Sequence, residues 1–357
     1  MNDDVTHDLE VNLEDELSDD SKFPILPTLM TLGNAICGLA AIGLATKAIG
    51  VRLAVEGIEK ASALSLDHSA YEALRYAGLL IFLGMLFQME SPSSQVYYSQ
   101  RLRLQYVEWG KKTNPPTILL HGGRDHARSW DWVARNLCKD WRVLAPDLRG
   151  HGDSEWVNDG NYQMASYLYD LDQLICQQLS GPVNLVAHSL GAMIALRYAG
   201  LYPSKIGKLI AIEGLGLPNE KPMIDRLESW ISQRHALSSR SEKRYENFDD
   251  AVGRMMAANS HLSYETAEHL TRHGVKQNED GTYSWKFDNY IRSWPAYDMP
   301  QDLINSLWSQ ITCPTLLVGG RDSWHQDPTI TGRIKFFKNV KVKIFDKAGH
   351  WVHHDRR

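Results

Sequence analysis

From about residue 98 onward, short apolar runs alternate with stretches of helical periodicity. This predicts an α/β fold with a mostly parallel sheet covered by helices on both faces. Three observations carry the prediction. First, residues 116–120, 142–145, 183–187, 209–212, 314–318 and 340–345 are apolar or alternating runs of strand length. Second, Met164, Leu168, Leu171, Ile175 and Leu179 recur at helical spacing, and Trp130, Trp132, Val133 and Leu137 suggest another helix. Third, glycine-bearing loops follow the runs: His121-Gly122-Gly123-Arg124, then Asp147 through Ser154, then Gly319-Gly320-Arg321-Asp322. Sheets of this kind place their sites at the carboxyl ends of their strands. Ahead of the first buried run, Leu102, Leu104 and Tyr106 alternate with Arg103 and Gln105, as in an antiparallel strand with one wetter face.

The chemistry is concentrated at Ala187-His188-Ser189-Leu190-Gly191, where an apolar run stops abruptly and a helical stretch, 192–202, begins. A serine on a tight strand-to-helix turn has its hydroxyl thrust outward at the positive end of a helix. Such a turn tolerates only small neighbours two residues away, here Ala187 and Gly191. Ala187 departs from the usual G-x-S-x-G spacing by one methyl group. A bland reading, a serine that merely caps the helix, competes with the nucleophilic one.

The order H-G-G, D-L-R-G-H-G-x-S, A-H-S-L-G, G-G-R-D and G-H resembles the α/β-hydrolase superfamily over about residues 98–354. The serine-hydrolase branch fits, because aspartate replaces the serine in dehalogenases and epoxide hydrolases. The resemblance implies Ser189 as nucleophile, His350 as the base that takes its proton, and Asp322 as the acid that orients the imidazole. Glu213, at the end of the 209–212 run, is the alternative acid. Backbone N–H groups of Gly123 and Leu190 would form the oxyanion hole. His121, His188, Asp147, Arg149 and Asp153 read better as groups that brace turns. The resemblance also implies a helical cap inserted at about 217–308, its aromatic residues packing mostly on one another. The short run after His350 is expected to loosen the loop that carries it.

The first 90 residues read differently. Residues 1–22 carry nine acidic groups and one lysine, the composition of a disordered tail, and no basic n-region of a signal peptide. Residues 23–46 contain no charge, long enough for a membrane helix, and an apolar run at 77–87 suggests a second. The words Leu-Pro-Thr-Leu-Met-Thr-Leu-Gly-Asn-Ala-Ile-Cys-Gly at 26–38 resemble the opening of the CDP-alcohol phosphatidyltransferases, phosphatidylserine synthase type, over about 22–88. That family's aspartate cluster should follow Phe87; Gln88-Met89-Glu90-Ser91-Pro92 stands there instead. The expectation is an anchor without transferase chemistry, fused to a hydrolase domain at 96–357.

Net charge of −5 argues against nucleic-acid binding. The four cysteines form no C-x-x-C pair, so neither a zinc site nor a disulfide framework is signalled, and no metal or organic cofactor is expected. The expected partners are a small acyl substrate and, through residues 23–90, a lipid bilayer, with the hydrolase domain on the cytoplasmic side. Two rival readings are a phosphatidyltransferase-like membrane protein and a membrane-anchored, catalytically inactive module.

Overall fold

The computed structural model describes residues 92–216, 222–293, 295–324 and 326–356. The acidic tail, the expected membrane helices and the phosphatidyltransferase resemblance fall outside them. Among the described residues no helix is long and apolar enough to cross a membrane.

An eight-stranded sheet forms the centre. Its strands are β1 (Ser93–Ser99), β2 (Leu102–Trp109), β3 (Pro116–Leu120), β4 (Arg142–Pro146), β5 (Val183–His188), β6 (Ile206–Ile212), β9 (Thr315–Gly320) and β10 (Val340–Phe345). They lie in the order β1-β2-β4-β3-β5-β6-β9-β10. From β4 to β10 all pairings are parallel; β1 and β2 form an antiparallel hairpin on one edge. The central strands are apolar on both faces because helices cover both. One face packs α2 (Met164–Gln178), α3 (Leu190–Leu201) and α7 (Gln301–Gln310), with Leu174, Leu185, Ile194, Leu196 and Trp308 buried in a single cluster. The other face packs α1 (Asp131–Leu137) and the short terminal helix α8 (Val352–Asp355) around Trp109, Leu119, Trp130 and Val143.

The segment between β6 and α7 leaves the sheet. It contains α4 (Met223–Ser238), α5 (Phe248–Ala258), α6 (Tyr264–Gly274) and a hairpin of β7 (Val275–Gln277) with β8 (Tyr283–Trp285). Asn247 and Ser263 cap α5 and α6 by accepting from Asp250 N–H and Thr266 N–H. Val252, Leu262, Ala267 and Leu270 form one small core here, and Tyr245, Ala251 and Val275 another. This segment packs largely on itself, whereas α7, at the end of the expected cap range, packs on the sheet. Ile304, Leu307 and Trp308 of α7 are buried, and Ile304 and Trp308 belong to the main cluster.

Candidate active site

Three strand ends supply the site. Ser189 joins β5 to α3 with φ +49° and ψ −115°, a conformation that favours glycine. The strained turn is held by Ser189 N–H donating to the Ile212 carbonyl at 2.9 Å and Gly191 N–H donating to the His121 carbonyl at 3.1 Å. Gly191 is required by space: a Cβ there would lie 2.6 Å from the carbonyl oxygens of Leu120 and His121. Ala187 is fully buried, so the extra methyl group at that position is accommodated.

His350 follows β10 and comes back over the turn. Its Nε2 lies 3.0 Å from Ser189 Oγ, and its Nδ1 lies 3.4 Å from Glu213 Oε2. With Nδ1–H facing the carboxylate, Nε2 is the acceptor for the serine hydroxyl. The Nδ1 separation is longer than a standard bond, as is common before substrate closes a site.

The acid beside the imidazole is Glu213, not Asp322. Glu213 follows β6 with φ +53° and is 4 % exposed. Its Oε1 accepts from Gly320 N–H at 2.7 Å, and its Oε2 accepts from the Ser323 hydroxyl at 2.7 Å. The turn after β9 thus wraps the Glu213 carboxylate with its own donors. Asp322 lies within that turn, yet its backbone N–H donates to the Ala348 carbonyl at 2.9 Å and its half-exposed carboxylate faces His261 Nε2 at 4.0 Å. The residue expected from G-G-R-D therefore faces His261, and Glu213 faces the His350 imidazole.

Leu190 is the first residue of α3, so its N–H has no partner within the helix. Gly123 lies across from it: a Cβ on Gly123 would meet Leu190 Cδ2 at 3.9 Å. Gly122 packs on the elbow itself, with a Cβ there only 2.7 Å from His188 Nδ1 and 3.2 Å from Ser189 Cβ. The two expected oxyanion donors stand on facing segments beside the serine.

The remaining histidines brace this arrangement. His121 accepts from Leu148 N–H through Nε2 at 2.9 Å, which leaves Nδ1–H to donate to the Gly122 carbonyl at 2.7 Å. Burial holds its imidazole well below the usual range, so it stays neutral in that role. His188 Nε2 lies 2.8 Å from the His350 carbonyl and fixes the backbone of the base. Burial, and then the neighbouring His353 and His350, push the His188 imidazole well down. Asp147 accepts from Ala127 N–H at 2.7 Å and Asp153 N–H at 2.9 Å; burial raises it to about 6. Arg149 forms a buried two-bond pair with Asp170, at 2.5 and 2.6 Å.

Hydrogen bonds connect the His350 loop to the residues around it. Gly349 N–H donates to Asp355 Oδ2 at 2.8 Å, Asn259 Nδ2 donates to Asp355 Oδ1 at 3.2 Å, and Arg356 donates to the Asp346 carbonyl at 2.7 and 2.9 Å. Trp324, which sequence reasoning did not single out, stacks on the His350 ring with centroids 5.1 Å apart. A cavity of about 330 Å³ opens beside Gly123 and Trp351, walled by cap residues that include Tyr245, Met255, Leu262 and Trp285. Some of the cap's aromatic residues thus serve both its small core and this cavity.

Among the described residues, two groups have donors placed for a metal ion. Ligand atoms of Asp125, His353 and His354 lie within 4.8 Å of one another, as do those of Asp131, His269 and His273. The second is poorly suited, because Arg128 already holds both oxygens of Asp131 at 2.7 Å.

Residues 115–356 match the family model described as the alpha/beta hydrolase fold. The chain is similar to the esterase Rv0045c of Mycobacterium tuberculosis, 26 % identical over 272 residues, covering 75 % of this chain and 87 % of that one. It is similar to human epoxide hydrolase 4, 26 % identical over 270 residues, covering 71 % and 72 %. Among solved structures, the thioesterase domain from the curacin biosynthetic pathway superposes with a TM-score of 0.67 at 26 % identity, covering 74 % of this chain and 96 % of that one. The chain belongs to the α/β-hydrolase fold family and is a hydrolase.

Proposed function

We propose that the protein is a serine hydrolase that cleaves a carboxylic ester or a related small acyl substrate through an acyl-enzyme, with Ser189, His350 and Glu213 as its triad. The observation that carries this reading is the 3.0 Å approach of His350 Nε2 to the hydroxyl of a serine held at a left-handed turn. A serine hydroxyl is a weak nucleophile until a base takes its proton as the bond to carbon forms. His350 is in reach to do so, and the buried Glu213 carboxylate then faces the imidazolium it creates. The negative oxygen of the tetrahedral intermediate is held by the N–H groups of Leu190 and Gly123. As the intermediate collapses, the bond to the leaving group breaks and His350 returns its proton to the departing oxygen or sulfur. Water, deprotonated by the same imidazole, then attacks the acyl-serine and restores the hydroxyl.

The human relative named an epoxide hydrolase does not redirect this reading, because a serine stands at the elbow here. The esterase and thioesterase likenesses support acyl chemistry. A fluorophosphonate probe tests the proposal. Stoichiometric labelling on the Ser189 peptide, abolished in Ser189→Ala, is the expected result; labelling that persists in that variant overturns it.

A further inference from the structure

The cavity beside Gly123 has an unusual charge distribution for an acyl pocket. Its walls are aromatic and aliphatic, yet Arg124, Arg254 and Arg292 all line it. They arrive from three separate segments: the loop after β3, helix α5, and the turn after β8. Among the described residues none of the three has a carboxylate within 4 Å, although eleven other lysines and arginines do. Instead, Arg292 lies over the Phe287 ring at 5.3 Å and donates to Asn289 Oδ1 at 3.3 Å. Partial burial, and then repulsion from Arg124, Arg254 and Arg240, make its charged form harder to hold. The two acids on the same wall do not neutralise the group. Glu242 faces Lys276 at 3.8 Å, and Asp125 Oδ1 accepts from the His126 N–H at 2.8 Å.

Arg124 adds an independent observation. It directly follows the Gly123 oxyanion donor and has φ +64°, where an L-residue is strained and glycine would not be. A side chain kept at that position at such a cost lines the cavity one residue from Gly123, on the side from which an acyl donor would reach the serine. Like charges lining one cavity with no carboxylate partner among the described residues are relieved by an anion.

We infer that this cavity selects acyl substrates carrying an anionic group, which docks against Arg124, Arg254 and Arg292 while the apolar remainder lies on Tyr245, Met255 and Trp285. The inference rests on the serine-hydrolase reading and narrows it. The anion has two sources, a carboxylate on the acyl chain or phosphates on the leaving group, and paired substrates separate them. Monomethyl adipate is compared with methyl hexanoate by proton release, and hexanoyl-coenzyme A with S-hexanoyl-N-acetylcysteamine by thiol release. In at least one pair the anionic member should have the higher kcat/KM by about tenfold. That preference should collapse in the Arg124→Gln/Arg254→Gln/Arg292→Gln variant and shrink with added salt. Lys341→Gln, on the exposed edge strand β10, should leave the preference intact. Parity within both pairs, or equal erosion by Lys341→Gln, overturns the inference while leaving Ser189 chemistry standing. Protection against fluorophosphonate labelling gives a readout that needs no turnover. Adipate or coenzyme A should protect better than their neutral counterparts, and equal protection overturns the inference. If no substrate is cleaved and the probe does not label Ser189, it is the hydrolase reading itself that fails.

Discussion

Ser189, Glu213 and His350 leave the ends of three strands, and each is held by bonds that reach across the sheet. Arg124, Arg254 and Arg292 line one cavity from exposed positions, and Arg292 stacks on Phe287 and makes one long hydrogen bond to Asn289. The floor of the site is therefore over-determined, and the wall above it is not. Chemistry needs fixed distances, which packed strand ends provide, whereas selection among substrates tolerates long, mobile side chains. The cap illustrates the same contrast. Helix α4 buries none of its residues, while α3 buries nine of twelve.

That contrast can be broken most directly at the floor. Ser189→Ala should lower kcat by roughly 10⁴- to 10⁶-fold with an unchanged circular-dichroism spectrum. Next, Glu213→Gln should cost about 10²- to 10⁴-fold in kcat, while Asp322→Asn should stay within roughly twofold. The opposite order in steady-state assays would return the acid to the turn after β9. Stability separates the two regions too. Leu185→Ala, in the fully buried serine strand, should destabilise by about 2–5 kcal/mol in urea denaturation. Ile231→Ala, 47 % exposed on α4, should stay within about 0.5 kcal/mol.

A pH-dependent effect concerns His126, which bonds to the cap helix α6. His126 Nε2 lies 2.9 Å from the Leu270 carbonyl of α6, and burial pulls its imidazole down to about 4. Between pH 6.5 and 4 the unfolded chain takes up a proton that the folded chain refuses. Stability from this group is therefore complete above 6.5 and falls with acid, by about 2 kcal/mol at pH 5. His151, also lowered to about 4, acts in the same direction; Asp125 and Asp147, raised to about 7 and about 6, act oppositely. Denaturation midpoints at pH 7 and pH 5 should differ less in His126→Gln than in the parent protein. An identical difference would remove His126 from the account.

Much of this fold is legible in residue order, because parallel strands buried on both faces leave uninterrupted apolar runs. Pro116–Leu120 and Val340–Phe345 coincide with the observed strands, and β5 runs one residue past Ala187. Strand β1 is not legible. It joins β2 through Gln100 and Arg101, both left-handed, with φ of +49° and +68°. Hairpin turns of that kind usually announce themselves with Asn-Gly, and here they do not. The turns that place Ser189 beside His350 were legible because they need small residues. Which carboxylate sits beside the imidazole was left between Asp322 and Glu213, since both follow strands. Which one meets the imidazole depends on backbone rotation at Glu213 and on donors from Gly320 and Ser323, none of which has a sequence signature.

The indole of Trp324, 60 % exposed, lies against the His350 ring at an interplanar angle of 30°. An imidazolium quenches a neighbouring indole far more strongly than a neutral imidazole does. The molecule thus carries its own optical gauge of the charge on the His350 ring, readable without a substrate or a dye as the part of the emission that Trp324→Phe removes from that of eleven tryptophans.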